Sequence, residues 1–341
     1  MLLAQQLRQA GAGEVAIITL SPEAQGQPEV TVASTHSRWW RQWAVQHNGA
    51  VWLWQYSPYA LHPRGTPWWV VRAMWQLRRA GIRQAIFFHE VQIRYSLPGF
   101  YNKLRALQQQ LIANLCARLA GGRVATSIPL YQTYFWGKKP QLIPISPNLL
   151  PQPGITTVPL RVVAFANRLY PFLLQALAAV QQQLPALQVL WLGKKAPDAL
   201  DAAAIVQTYG LQSAFTGALP AEALAAQLQT ATLVLLPLQT DNRGRGGISL
   251  KSGTLSAAMA MGKPVIASPG DMTETALLQH GTVLHLPAHN STEAWQQAIA
   301  LLLHDTAYAN RLGEGALQFY QQHLTWPHTA RAVQKLFDHG G

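Results

Sequence analysis

The chain has 341 residues, of which 49% are apolar, and its 26 Lys and Arg residues outnumber 14 Asp and Glu. This length predicts two domains, each with a core of its own. The single cysteine, Cys116, excludes an internal disulfide and cysteine-based metal sites, and the histidines lack the spacing of metal ligands. The first apolar stretch is shorter than that of a signal peptide, so we expect a cytoplasmic protein.

The positive charge is concentrated in the first half of the chain. Residues 1–145 hold fifteen Lys or Arg and four acids, whereas residues 146–341 hold eleven and ten. Nine of the twelve tryptophans lie between Trp39 and Trp136, interleaved with arginines. This mixture suits an anionic membrane surface, so we expect peripheral contact with the inner membrane face. Core tryptophans beside solvated arginines are the alternative. No nucleic-acid partner is expected, because no recognition helix, zinc finger or RNA-binding signature occurs.

Residues 1–145 read as a first α/β domain. Apolar runs rich in Val, Ile and Phe predict strands at 15–20, 50–56 and 85–90, and amphipathic stretches predict helices near 67–80 and 101–120. The alternation is typical of parallel sheets covered by helices. Because the chain opens with a helical pattern that a strand normally precedes, a first strand and its glycine loop are expected to be missing.

A proline-rich segment separates this domain from the second. Six prolines and no charge occur between Pro140 and Pro159, which predicts a linker at 146–160. The second domain is predicted over 161–318, followed by a terminal helix at 319–341. Its predicted strands are 161–166, 187–193, 232–238 and 263–268, and its predicted helices are 171–184, 221–229 and 253–261.

A glycine-rich segment after the strand at 232–238 is the richest candidate site. In parallel sheets, ligands bind at the carboxyl ends of strands, near helix amino termini whose free N–H groups attract anions. Ser252 can cap the helix at 253–261, and Arg243 and Arg245 precede it. The predicted phosphate-binding residues are Gly247, Ser249, Lys251, Ser252, Gly253 and Thr254. A surface loop with an ordinary capped helix is the alternative. The segment is not a Walker A loop, because Leu250 and Arg245 occupy two of its glycine positions.

Two further groups of candidate residues also lie at the carboxyl ends of predicted strands. Arg168 comes after the strand at 161–166 and is predicted to reach the same phosphates, with Lys194 and Lys195 as weaker candidates. In the first half, His89 and Glu90 end the strand at 85–90 and form a candidate catalytic pair. A loop histidine without a catalytic role is the alternative. Hydrolase triads are poor candidates, because no Gly-x-Ser-x-Gly turn occurs.

Taken together, several segments resemble the GT-B glycosyltransferases, specifically family 4 of the nucleotide-sugar-dependent enzymes. AAMAMGKPVIAS is the most specific match, FANRL and FTGALPAEALAAQL are weaker, and QLIPISPNLLP and HLTWPHTARAVQKLF resemble the segment before the linker and the terminal helix. The resemblance implies an α/β protein with two Rossmann-like domains. It also implies that their parallel sheets face a central cleft and that the terminal helix crosses back onto the first domain.

The resemblance also implies a function. A sugar would move from a nucleoside-diphosphate sugar to an acceptor, with retention of configuration. The basic, tryptophan-rich first half favours a glycan or lipid-linked acceptor, and the cations of the predicted phosphate site would act without a metal or cofactor. Arg168 and the loop at 247–254 would contact the donor, and His89 would lie on the acceptor side. The chain departs from the family where two glutamates are common, because those positions fall on Ser249 and Ala257. A catalytically silent binding or assembly subunit is therefore an alternative, and a sugar-nucleotide epimerase is a third.

Overall fold

The computed structural model divides the chain into two compact units. Unit 1 comprises Met1–Pro144 and Trp326–Gly341, and unit 2 comprises Ile145–Thr325. The structure describes residues 2–12, 15–19, 30–32, 39–46, 50–93, 99–165, 169–193, 206–238, 240, 244–279 and 283–338. Unit 2 begins at Ile145, one residue before the predicted linker. Unit 1 is built from two separate pieces of the chain.

The described residues of unit 1 form two parallel sheets. Strands β1 (Ile17–Thr19) and β2 (Val30–Val32) form a pair. A second sheet has the order β3 (Val51–Tyr56), β4 (Arg83–Phe88), β5 (Val124–Thr126) and β6 (Gln141–Leu142). The helices are α1 (Leu2–Gln9), α2 (Trp39–Gln46), α3 (Pro58–Leu61), α4 (Trp68–Arg79), α5 (Phe100–Leu119) and α6 (Pro129–Gln132), with α13 (Trp326–Asp338) added from the far end of the chain. The strands and helices predicted at 50–56, 85–90, 67–80 and 101–120 agree within two residues.

Both faces of the four-stranded sheet are covered. On one face the Gln84 side chain donates a hydrogen bond to the Met74 carbonyl of α4 at 2.9 Å. On the other face, Phe87 and its neighbours pack against Val333 and Leu336 of α13. The register pairs Tyr56 with Phe88 and Phe88 with Thr126, so the carboxyl ends of β3, β4 and β5 lie side by side.

Where its residues are described, unit 2 forms one five-stranded parallel sheet. Its order is β11 (Val265–Ala267), β10 (Leu233–Leu236), β7 (Arg161–Phe165), β8 (Gln188–Leu192) and β9 (Ser213–Phe215). The helices are α7 (Pro171–Gln183), α8 (Ala221–Gln229), α9 (Gly253–Ala260), α10 (Thr275–Gln279), α11 (Thr292–His304) and α12 (Thr306–His323). The chain builds outward from β7 in both directions, so the sheet has a topological switch point between β7 and β10. Ligands of doubly wound sheets bind at the carboxyl ends of strands at such a point.

Among the tryptophans of unit 1 whose burial is described, Trp69 and Trp326 are half-buried and the others are either buried or exposed. Trp40, Trp52 and Trp54 are buried, whereas Trp68, Trp75 and Trp136 are 46%, 47% and 53% exposed. Core packing therefore does not account for the three exposed tryptophans. Cys116 is buried. Within the described ranges, no helix is both long and apolar enough to span a bilayer, and no group of His, Cys, Asp and Glu is arranged to hold a metal ion.

Candidate functional site

In unit 2, two loops at the carboxyl edge of the sheet are joined by backbone hydrogen bonds. The loop after β10 contains the glycines of the predicted phosphate site, and the loop after β11 runs from Ser268 to Glu274. Ile248 donates to the Ser268 carbonyl at 2.9 Å, and Met272 donates to the Gly246 carbonyl at 3.0 Å. The Asp271 carboxylate accepts from the Gly246 N–H at 2.9 Å. The two loops therefore hold each other in one conformation.

Glycine is required where these loops meet. Gly247 has φ +83°, and a Cβ atom added to it would lie 2.6 Å from the carbonyl carbon of Pro269. A Cβ added to Gly270 would likewise lie 2.8 Å from the Gly247 nitrogen and overlap the Gly246 carbonyl. The close approach of two backbones leaves no room for a side chain. Gly247 is thus needed for loop packing, and its role in phosphate binding stays a prediction.

The loop leads directly into the amino terminus of α9. The Ser252 hydroxyl accepts a hydrogen bond from Leu255 N–H at 3.2 Å and caps the helix, as its position in the sequence suggests. Helix geometry leaves the N–H groups of Gly253 and Thr254 without acceptors inside the helix. Lys251, Gly253 and Thr254 are half-buried, and Ser249 is only 2% exposed. Lys251 therefore directly precedes a helix terminus whose first N–H groups have no acceptor within the helix, and such a terminus attracts an anion.

A buried acid, Glu274, holds the backbone just before α9 in place. Both carboxylate oxygens of Glu274 lie 3.0 Å from the Leu250 nitrogen, and the residue is 7% exposed. Burial raises the pKa of the Glu274 carboxyl to about 7, although the hydrogen bonds that it accepts from backbone N–H groups act in the opposite direction. The Leu250 carbonyl in turn accepts from Ile145 N–H at 3.3 Å. Sequence reasoning missed Glu274. The signal was an acid placed a few residues after the strand at 263–268.

Several predicted residues lie outside the described part of the chain. These are Arg168, Lys194, Lys195 and Arg243. The donor-side role of Arg168 therefore stays a prediction. Arg245 is described and half-buried, in the same loop as Gly247.

In unit 1, His89 and Glu90 lie at the carboxyl ends of β3 and β4. The His89 Nε2 is 2.5 Å from the Gln55 Oε1, and its ring lies 4.6 Å from that of Phe87. Glu90 is exposed and accepts a hydrogen bond from the Ser57 hydroxyl at 3.0 Å. Gln55 and Ser57 were not foreseen, because pairing of β3 with β4 brings them to this place.

The environment of His89 favours the neutral imidazole. Burial lowers the pKa of His89, and the smaller influence of the Glu90 carboxylate raises it. When Nε2 donates to the Gln55 oxygen, Nδ1 of the neutral ring remains a hydrogen-bond acceptor. Such a group can orient a hydroxyl or receive its proton, which is the chemistry expected of an acceptor-side histidine.

Comparison with known proteins identifies the domain of unit 2. Residues 161–305 match the family model of group 1 glycosyl transferases. These residues therefore form a domain of that family, in agreement with the glycosyltransferase resemblance, while membership of family 4 stays a prediction. No curated protein sequence matches the chain.

Solved structures of other proteins share the fold of nearly the whole chain. Sucrose-phosphate synthase from Thermosynechococcus elongatus is 19% identical, with a TM-score of 0.64 over 98% of this chain and 91% of that one. HepE of Anabaena in complex with UDP-glucose is 15% identical, with a TM-score of 0.68 over 99% and 94%. WaaG, a glycosyltransferase involved in lipopolysaccharide biosynthesis, is 14% identical, with a TM-score of 0.63 over 100% and 95%. These similarities show the fold, and the prediction of a two-domain GT-B protein is confirmed.

Proposed function

We propose, from the group 1 glycosyl transferase domain at residues 161–305, that the protein transfers a hexose from a nucleoside-diphosphate sugar to an acceptor. The observation that carries the proposal is the amino terminus of α9, where Lys251 and the N–H groups of Gly253 and Thr254 follow a loop held by close backbone packing. The structure of HepE with UDP-glucose, which shares this fold, supports a donor of the same class.

The proposed reaction breaks the bond between the anomeric carbon and the diphosphate oxygen. Negative charge grows on the leaving diphosphate while the sugar becomes oxocarbenium-like. Lys251, Arg168 and the α9 amino terminus would stabilise that charge, so the proposal includes no metal or cofactor. The acceptor hydroxyl would attack from the same face, its proton would pass to the departing phosphate, and the anomeric configuration would be retained.

Donor binding is tested by thermal protection. A saturating nucleoside diphosphate should raise the melting temperature by about 5–10 °C, with UDP, GDP and ADP as the probes. Lys251→Ala removes a charge-assisted contact and should weaken the affinity for that nucleotide by about tenfold or more. The matched control is Arg311→Ala, which removes an exposed cation on α12 and should retain full protection. Absence of protection by all three nucleotides in the wild type would contradict the donor site.

We assign His89 to the side of the site that binds the sugar acceptor, with Glu90 as its exposed neighbour. His89→Ala removes the Nδ1 acceptor that would orient the acceptor hydroxyl before its proton passes to the departing phosphate. The variant should lower the rate of sugar transfer by about two orders of magnitude, while nucleotide protection stays unchanged. Because protonation removes the Nδ1 acceptor and the pKa of His89 is lowered, the wild-type rate should stay level near neutral pH. The rate should fall only below the ordinary histidine pKa. A rate profile across pH 5–8 checks both expectations, and unchanged turnover in His89→Ala would remove His89 from the mechanism.

The acceptor is proposed to be a glycan or a lipid-linked glycan met at an anionic membrane surface. The excess of cations in residues 1–145 and the three exposed tryptophans of unit 1 support this part of the proposal. The protein would then be cytoplasmic and peripheral on the inner membrane face. Transfer to endogenous lipid extracts, compared with transfer to soluble sugars, tests the acceptor class.

A catalytically silent binding subunit is the second candidate. It is favoured by Ser249 and Ala257, which stand where related enzymes commonly carry glutamates and which are 2% and 0% exposed. Such a subunit would gain nucleotide protection yet give neither sugar transfer nor donor hydrolysis. Product analysis with labelled donors distinguishes the candidates, and it also detects an epimerase, which alters the donor sugar without an acceptor.

A further inference from the structure

Helices α4 and α5 of unit 1 expose residues at the same four helical positions. The spacing i, i+4, i+7, i+11 lies along one narrow face of an α-helix. The exposed residues in this pattern are Trp68, Arg72, Trp75 and Arg79 on α4, and Phe100, Leu104, Leu107 and Leu111 on α5. We name these eight residues the two-helix face.

The α5 part of this face is apolar and exposed, from 76% at Phe100 down to 36% at Leu111. Leu107 is 50% exposed, and Tyr101, beside Phe100, is 80% exposed. Single exposed apolar residues are normal on a protein surface. A continuous row along three turns of one helix instead marks an interaction site.

The two helices lie side by side and run in the same direction. They connect β3 to β4 and β4 to β5, which are adjacent parallel strands, and right-handed crossovers place both helices on the same face of the sheet. At their carboxyl ends, the Arg78 guanidinium donates to the carbonyls of Arg118 at 2.7 Å and Leu119 at 3.3 Å. The aromatic and cationic row of α4 therefore runs beside the apolar row of α5.

The surroundings of the face are positively charged. Helices α4 and α5 contain six Lys or Arg residues and no acid. Among the described residues of unit 1, the acids are Glu90 and Asp338. The guanidinium of Arg79 lies 4.9 Å from the centre of the Trp75 ring, so cation and indole occupy one place on the surface.

We propose that the two-helix face docks on a bilayer that contains anionic phospholipid. Phe100 and the leucines of α5 enter the acyl boundary, and the indoles and guanidinium groups of α4 lie at headgroup depth, where each is most favourable. This assigns residues to the membrane contact of the proposed function and rests on it. The positive charge of α4 and α5 is complementary to an anionic bilayer and favours it as the partner. The face has no acid to pair with a basic partner. Its aromatic rings can stack on bases, but the leucine row of α5 matches acyl chains and offers nothing to a phosphate backbone.

Vesicle binding tests the proposal without any donor or acceptor. The whole protein should co-sediment with phosphatidylcholine vesicles that contain about one-third phosphatidylglycerol, and binding should weaken in high salt and on pure phosphatidylcholine. The double substitution Leu104→Glu and Leu107→Glu should lower the affinity by about tenfold or more. Leu301→Glu on α11 of unit 2 is the matched control, since Leu301 is 43% exposed, and should bind as the wild type does.

A label shows which surface enters the lipid. Leu107→Cys carrying an environment-sensitive fluorophore should brighten on anionic vesicles, and the labelled Leu301→Cys should not; native Cys116 is buried and does not compete. This readout replaces the charge substitution if that variant fails to fold. The proposal would be overturned if the folded double variant bound anionic vesicles as tightly as the wild type does, or if the wild type did not bind them. It would also be overturned if the fluorophore on Leu107→Cys did not brighten on these vesicles. An oligomer that the double substitution dissociates would also overturn it, by making the face a contact between copies. Thermal protection by nucleoside diphosphate is measured on the same preparations. A protein that is protected but does not bind vesicles has a donor site and no membrane contact, so the two failures are distinguishable.

Discussion

Gly270→Ala is expected to destabilise unit 2 by about 2–4 kcal/mol and to abolish protection by nucleoside diphosphate. The added methyl would lie 2.8 Å from the Gly247 nitrogen and overlap the Gly246 carbonyl, neither of which can rotate away as a side chain would. The loops after β10 and β11 must therefore separate, and the hydrogen bonds between them would be lost. For a unit of this size, the melting temperature should fall by about 5–15 °C.

The steric cause can be separated from ordinary glycine effects. Gly244 lies in the same loop with φ +68°, yet a Cβ added there meets nothing within 4 Å. Gly244→Ala should therefore cost only about 1 kcal/mol, through backbone strain alone, and should retain nucleotide protection. Thermal melts of both variants with and without UDP provide the measurement. Equal melting temperatures for the two variants would contradict the close approach at Gly270.

Glu274→Gln is expected to change how stability depends on pH. The pKa of the Glu274 carboxyl is raised to about 7 in the folded protein. Between the unfolded pKa, near 4.5, and pH 7, the folded state holds a proton that the unfolded state has lost. The stabilising contribution of this group is therefore complete below the unfolded pKa and is lost as the pH rises through 7, by about 3 kcal/mol in total.

The glutamine variant should lack this loss. Its side-chain oxygen can still accept the hydrogen bond from Leu250 N–H, and it carries no charge at any pH in this range. Glu274→Gln should therefore be more stable than the wild type at pH 8, and the difference should vanish towards pH 5. Urea unfolding at four pH values between 5 and 8 measures it, with Glu314→Gln on the exposed side of α12 as the control. Parallel stability curves for wild type and Glu274→Gln would refute the raised pKa.

Local pattern was enough to predict the longer elements. Strands such as Val51–Tyr56 and helices such as Ala221–Gln229 carry a hydrophobic period that is readable over six or more residues. Strands β2, β5 and β9 have three residues each and were not predicted, whereas the equally short β1 and β11 were, because they lie within longer apolar runs of the sequence. Only pairing with neighbouring strands identifies β2, β5 and β9.

The candidate site was predictable in part for a similar reason. Ser252 as a helix cap follows from its sequence position, because capping is a local interaction. The contact of Gly247 with Gly270 joins residues 23 positions apart, and the hydrogen bonds from Leu250 to Glu274 span 24. Such contacts arise only after β10 and β11 have paired. The surface of α5 was missed because its burial depends on which face of the helix meets the sheet.

The placement of α13 sets an order for assembly during synthesis. Val333 and Leu336 complete the core beneath Phe87 and Ala125, yet they leave the ribosome only after every residue of unit 2. Until then, this side of the amino-terminal sheet lacks the cover that α13 supplies, while unit 2 already has its whole chain available. Nascent chains stalled before Trp326 should therefore bind chaperones through unit 1, and the first-made half of the protein should be the last to mature.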